Sequence, residues 1–281
     1  MPADGSTLLD RLRALFPEAS TTSLHQWLRD GRVRVNGAVK RDGRAAVGAR
    51  DRVGLGATAS RMPFPAALRL VHEDADLLVI DKPPGLLTIA TDRERERTAY
   101  RMLWSYLGAG RPPQRPFIVH RLDRETSGLL VVAKTPAAKR ILQEQFEARS
   151  VERVYVALVE GRVREDHGTL VAQLAQDRGL RVRAARDGKE AITHYRVLER
   201  DAAVTLLELT LGTGRRQQIR VQLAGLGHPI VGDARHGSAR SPIGRLCLHA
   251  TRLGFVHPRS GAAMRFESPA PAAFSRVGRA L

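Results

Sequence analysis

Apolar positions near the start of the chain recur at helical spacing and then at strand spacing. Leu8, Leu12 and Leu15 fall three to four residues apart, and a Ser/Thr cluster at 20 to 23 stands where it can cap a second helix carrying Leu24, Trp27 and Leu28. In GRVRVNG the alternation shortens to two, which predicts a strand ended by the turn dipeptide Asn36-Gly37. The stretch ATASRMPFPA, beginning at residue 57, sets two prolines among small residues and reads as a linker. Beyond it, RLVHEDADLLVIDKPPG gives strand, turn, strand and breaker. VERVYVALVEG, ITHYRVLER and VTLLELTLG are further strand patterns, rich in β-branched or aromatic residues. The pattern predicts a small α+β domain over 1–56, a linker over 57–65 and a larger domain over 66–281, with no repeats and no coiled-coil heptads.

Composition adds a partner to this outline. The 281 residues exceed the roughly 100 to 200 usual for one domain. Lys and Arg number 46 against 29 Asp and Glu, a net charge of +17, and 41 of the 46 are Arg. Arg presents a planar donor fork suited to phosphates and base edges, so nucleic acid is the expected partner. The competing explanation, a GC-rich genome raising Arg and Ala together, gives the excess no partner. One cysteine, Cys247, excludes an internal disulfide and a Cys-based zinc site, and the nine His residues show no ligand spacing. No metal or cofactor is expected. The apolar runs fall short of the ~18 residues that span a bilayer, and MPADGSTLLD lacks the order of a signal peptide, so a cytoplasmic protein without membrane association is expected.

Candidate chemistry gathers in HRLDRETSGLLVVAKT, residues 120 to 135. Its Lys134-Thr135 ending resembles a phosphate-binding loop, but Ala133 stands where a second glycine is needed and LLVV is strand material. Without that reading, the segment is a loop that carries polar groups to the lip of a buried strand, with Ser127-Gly128 as the turn into the sheet. Asp123 there can serve as nucleophile or base if a cation opposite keeps it ionised. In LGTGRRQQIR, Gly212 and Gly214 bracket a tight turn that presents Arg215 as the candidate cation. Taken alone, Asp123 is equally a turn or capping residue.

The first segment, with its Ser/Thr-led helix and VRVNG strand, resembles the S-four-type RNA-binding domain over about 50 residues. In the second domain, DKPPGLLT, HRLDRETSGLLVVAKT, VYVALVEG, DGKEAITHYRVL, TGRRQQIR with GHPIVGD, and LHATRLGFVHP resemble, in order, the motifs of the RluA-type pseudouridine synthases. That resemblance implies an α+β catalytic domain on a largely antiparallel mixed sheet. It implies an isomerase that detaches the base of an RNA uridine, turns it and rejoins it through C5, without cofactor or metal. Asp123 matches the essential aspartate, Tyr155 the residue that stacks on the target base, and Arg215 the ion-pair partner of the aspartate. For substrate binding, Arg121 matches the arginine that fills the gap left by the extruded base, and Leu248 a wall of the pocket. Three positions depart from the pattern: Gln217 where His is usual, Arg153 in place of Lys, and His236 in place of Tyr. The appended S-four-type domain favours large-subunit ribosomal RNA over transfer RNA as substrate, and a monomer is expected. A non-catalytic RNA-binding assembly factor on the same fold is the alternative from another class.

Overall fold

A computed structural model of the chain describes residues 6–56, 63–92, 94–110, 113–177, 179 and 181–275. Most of the linker expected over 57–65 lies outside the described residues. The described residues form two compact units, divided between Pro63 and Phe64, with a short stretch near Gly110 grouping with the first.

The first unit runs β1 (Ser6–Thr7), α1 (Leu8–Leu15), α2 (Thr21–Arg29), β2 (Val33–Val35), β3 (Ala38–Val39), β4 (Ala46–Val47) and β5 (Val53–Leu55). Ser20 caps α2 by accepting the Ser23 amide at 3.1 Å. The Asn36-Gly37 turn joins β2 to β3 with positive φ at both positions, 53° and 83°, as a two-residue hairpin turn of the primed type requires. Leu8, Leu12, Leu24, Leu28, Val33, Val35 and Val47 close around one small core. Leu15, which shares the spacing of Leu8 and Leu12, is exposed instead. Helix α1 ends there, and Phe16 turns in to meet Trp27 edge-on at 5.3 Å.

The second unit contains β6 (Arg69–Glu73), β7 (Leu77–Lys82), α3 (Ala99–Gly108), β8 (Phe117–Ile118), β9 (Ser127–Ala133), α4 (Pro136–Glu147) and β10 (Glu152–Glu160). There follow β11 (His167–Gln176), β12 (Val182–Ala184), β13 (Lys189–Arg200), β14 (Val204–Leu211), α5 (Gln218–Gly225), β15 (Leu248–Val256) and β16 (Ala263–Glu267). Among the described residues these build one eleven-stranded sheet, in the order β12-β11-β13-β14-β10-β15-β9-β7-β6, with β16 beside β15 and β8 beside β9. Every pairing is antiparallel except β9 with β15. The α+β class and the largely antiparallel mixed sheet expected from the sequence are what the chain adopts.

The aliphatic run of β9 is explained by its place between two cores. Leu130 and Val132 face one side with Leu103 and Tyr106 of α3, while Leu129, Val131 and Ala133 face the other with Ala138 and Leu142 of α4. A strand covered on both faces has no polar side to show. Its entry depends on Gly128, at φ 112°, where an added Cβ would stand 2.3 Å from the Ala250 carbonyl oxygen. Only glycine allows β9 to run this close to β15. No helix among the described residues is long and apolar enough to cross a membrane.

Candidate active site

The loop bearing Asp123 is held from several directions. Lys82, at the end of β7 and wholly buried, donates from Nζ to the carbonyls of Pro83 and Leu86 at 2.8 Å and of Arg124 at 3.2 Å. Burial pushes its pKa down to about 7 against the pull of Glu125 and Asp123. Thr88 Oγ1 donates to the Leu122 carbonyl and accepts the Leu122 amide, at 2.8 and 3.2 Å. His120 Nε2 accepts the Val131 amide at 3.1 Å, and its ring stacks on Phe146 with centroids 4.6 Å apart. Burial, together with nearby Arg153, holds His120 down to about 3. On the other flank His249 Nε2 faces the Ser268 carbonyl at 3.2 Å and must donate there. Its Nδ1 therefore accepts from Ser127 Oγ at 2.8 Å, and Arg245 donates to that hydroxyl at 2.7 Å. The polar lip of β9 is thus a set of satisfied contacts that place Asp123 before any substrate arrives.

The cation opposite Asp123 is Arg220, whose Nη1 lies 3.6 Å from the carboxylate. Arg220 also grips Asp233 through two bonds of 2.7 Å, and both side chains are buried. Burial alone would lower the Arg220 pKa; its bonds to Asp233 and the charge of Asp123 outweigh that and raise it. The ion-pair role expected for Arg215 therefore falls to Arg220. Arg215 lies exposed on the pocket rim and donates from Nε to the Glu190 carbonyl at 3.0 Å. The difference arises at Gln217, which sits in the left-handed region at φ 52° and starts α5. Gln218 then locks the turn: its oxygen accepts from Thr213 and the Arg215 amide, and its nitrogen donates to the Ile192 carbonyl and Thr193. That phase aims Arg220 inward.

A pocket of about 140 Å³ gathers Arg121, Asp123, Tyr155, Arg215, Arg220 and Leu248. All five residues singled out from the sequence line it. Tyr155 reaches it from β10, opposite Ala250 of β15, next to a register shift at which Thr251 of β15 is the extra residue. Burial pushes its phenol up to about 12, so it is neutral at physiological pH. The two departures Gln217 and His236 meet each other, Oε1 to Nε2 at 3.3 Å. Among the described residues one group has metal-ligand types in reach of one another, Asp74, Asp76 and His257. It lies apart from this pocket, and its carboxylates already pair with Arg259, His72 and His257. Sequence reasoning did not select Arg220, Asp233 or Lys82. The signal available for them was their position inside the motifs TGRRQQIR, GHPIVGD and DKPPG.

Residues 76–225 match the RNA pseudouridylate synthase family. The chain is 38% identical over 268 residues to the RNA pseudouridine synthase YlyB of Bacillus subtilis, covering 90% of this chain and 86% of that protein. It is 38% identical over 297 residues to ribosomal large subunit pseudouridine synthase D of Pseudomonas aeruginosa, covering 96% and 90%. Among solved structures, human RNA pseudouridylate synthase domain containing 1 aligns with a TM-score of 0.60 at 27% identity, over 75% of this chain and 86% of that one.

Proposed function

The chain belongs to the RNA pseudouridylate synthase family, and from that premise we propose how its pocket performs the isomerisation and which RNA it serves. The reaction breaks the bond from C1′ to N1 of a uridine and forms one from C1′ to C5. C5 loses its proton and N1 gains one, so the sum consumes nothing. Asp123 is the group that acts on the ribose, as nucleophile at C1′ or as base. The observation that carries this assignment is its carboxylate at the pocket, 3.6 Å from an Arg220 that is itself fixed on Asp233. Arg220 places a fixed positive charge against the Asp123 carboxylate and restrains its rotation. Tyr155 offers a neutral ring face on which the base stacks, and Leu248 closes the wall. A uridine within a stem reaches this pocket only by flipping out, which costs a few kcal/mol that stacking and phosphate contacts offset. Arg121, exposed at the rim, fills the gap left in the stem.

The proposed substrate is large-subunit ribosomal RNA, supported by the similarity to relatives named for that activity. The first unit is proposed to be an S-four-type domain that grips RNA beside the target, supported by its helix-hairpin order and basic composition. Tritium at uracil C5 reports the chemistry, because the C5 hydrogen leaves in the reaction. Wild type is expected to release it stoichiometrically from a target RNA, and Asp123→Asn to bind that RNA normally and release none. Normal turnover by this variant would remove Asp123 from the mechanism. Site-resolved pseudouridine mapping in cells with and without the gene tests the choice of RNA.

A further inference from the structure

Beside the uridine pocket lies a second cavity, of about 470 Å³, that shares Arg121, Tyr155 and Arg215 with it. Arg153 lines this cavity and is 8% exposed, yet its Nε is buried without a hydrogen-bond partner. Its guanidinium sits 5.7 Å from the Phe146 ring centroid, and no carboxylate among the described residues pairs with it. Space for it comes from Gly214: a Cβ there would stand 2.6 Å from Arg153 Nη1. Arg149 joins the same wall, and Glu147 is its one carboxylate among the described residues. A buried cation without a counter-ion costs free energy unless an anion arrives to pair with it.

We propose that this cavity is a binding subsite for one RNA backbone phosphate adjoining the flipped uridine, with Arg153 as its central donor and Arg149 as a second cation. The inference rests on the reading of the chain as an RNA pseudouridine synthase. Four arginines border the cavity, and the guanidinium fork matches a phosphate's paired oxygens. A nucleotide whose base fills the pocket carries a phosphate on each side of its ribose. One of them must lie near the shared rim. Burial and the charge of Arg149 lower the Arg153 pKa against the pull of Tyr155, and the charge of a bound phosphate offsets both.

The test replaces single phosphates near the target uridine, one at a time, by neutral methylphosphonates on 2′-O-methyl nucleotides. The same 2′-O-methyl RNAs with ordinary phosphates are the controls. For wild type, one neutral linkage flanking the target is expected to weaken binding about tenfold, as removal of a charge-assisted bidentate bond does. Arg153→Met is expected to bind the control RNA about tenfold more weakly and to lose nothing further at that linkage, because both changes remove the same interaction. Its melting temperature should match or exceed that of wild type, since a buried unpaired cation has gone; a structural role would lower it. Should Arg153→Met fail to fold, the exposed Arg149→Gln is expected to show the same non-additivity with a smaller loss, about threefold. The proposal is overturned if no flanking linkage matters to wild type, or if the variant and linkage effects multiply. Absence of pseudouridine in an unmodified target RNA treated with wild type would instead strike at the reading of the enzyme itself.

Discussion

Arg220 serves two carboxylates at once, and they differ in what its loss would do. Asp233 has a side chain 1% exposed, so removing its partner leaves a buried charge uncompensated; Asp123, at 18%, keeps some access to water. Arg220→Met is therefore expected to lower stability by about 3–5 kcal/mol in urea denaturation and to abolish turnover. Arg215→Met, which removes only an exposed bond to the Glu190 carbonyl, should change stability by less than about 0.5 kcal/mol. Equal losses in the two variants would return the ion-pair role to Arg215. That Asp123 and Tyr155 meet at one pocket was legible in the sequence because the motifs around them are distinctive. Arg220 was not, because choosing between two arginines five positions apart depends on where α5 begins, and that is set by one left-handed residue, Gln217. His120 offers a second residue-scale expectation. The unfolded chain takes up this proton near pH 6.5 and the folded chain only near pH 3, so the stability owed to a neutral ring is full above 6.5 and is lost as pH falls toward 3. His120→Gln keeps an acceptor for the Val131 amide without titrating. Its melting temperature should fall less than that of wild type between pH 6.5 and 4, and parallel curves would exclude His120 as a source of acid sensitivity.

Among the elements, several strands were readable and α5 was not. Alternation located β2, and runs rich in aliphatic, β-branched or aromatic residues located β6, β7, β9, β10, β13 and β14, since burial on one face or on both leaves a direct pattern of side-chain polarity. Helix α5 buries Gln218, Arg220 and Gln222 alongside Ile219 and Leu223. An apolar stripe cannot reveal a helix whose inward face is amide and guanidinium. Those groups are tolerated there because they are bonded: Gln222 donates to the Leu170 and Ala191 carbonyls at 3.0 and 2.8 Å and accepts from Thr193 at 2.6 Å. The parallel pairing of β9 with β15 is the other element-scale dependence, and Gly128 carries it. Gly128→Ala must strain a φ of 112° and push the Ala250 backbone away, so a loss of about 3 kcal/mol or more is expected, with activity falling as the Asp123 loop shifts. Gly85→Ala is the control: its φ is also positive, at 80°, but an added Cβ meets nothing within 4 Å, so about 1 kcal/mol is expected. Similar denaturation midpoints for the two would show that close approach to β15 does not constrain position 128.

At the scale of the whole molecule, the two units have separate cores: the residues that close around Leu8 and Leu24 include none from the sheet-based clusters. Residues 6–56 carry 10 Lys and Arg against 5 Asp and Glu, a difference of +5, and none of them lines the pocket around Asp123. A basic unit with its own core and no catalytic group can act by neutralising further phosphates. Deleting residues 1–63 should then weaken binding to a structured RNA and flatten its salt dependence by about 0.7 in log-log slope for each single-strand phosphate that this unit neutralises, and by more for a duplex. Chemistry on a saturating short RNA should continue, because Asp123, Arg220 and Tyr155 all belong to the second unit. If the first unit only shielded apolar surface, its removal would lower the melting temperature and leave the salt slope unchanged. Affinities at several salt concentrations, paired with melting curves for both proteins, separate these outcomes. An unchanged slope with a much lower melting temperature would end the case for an RNA grip. A flattened slope with the melting of the second unit preserved would assign the first unit to RNA and the chemistry to the second.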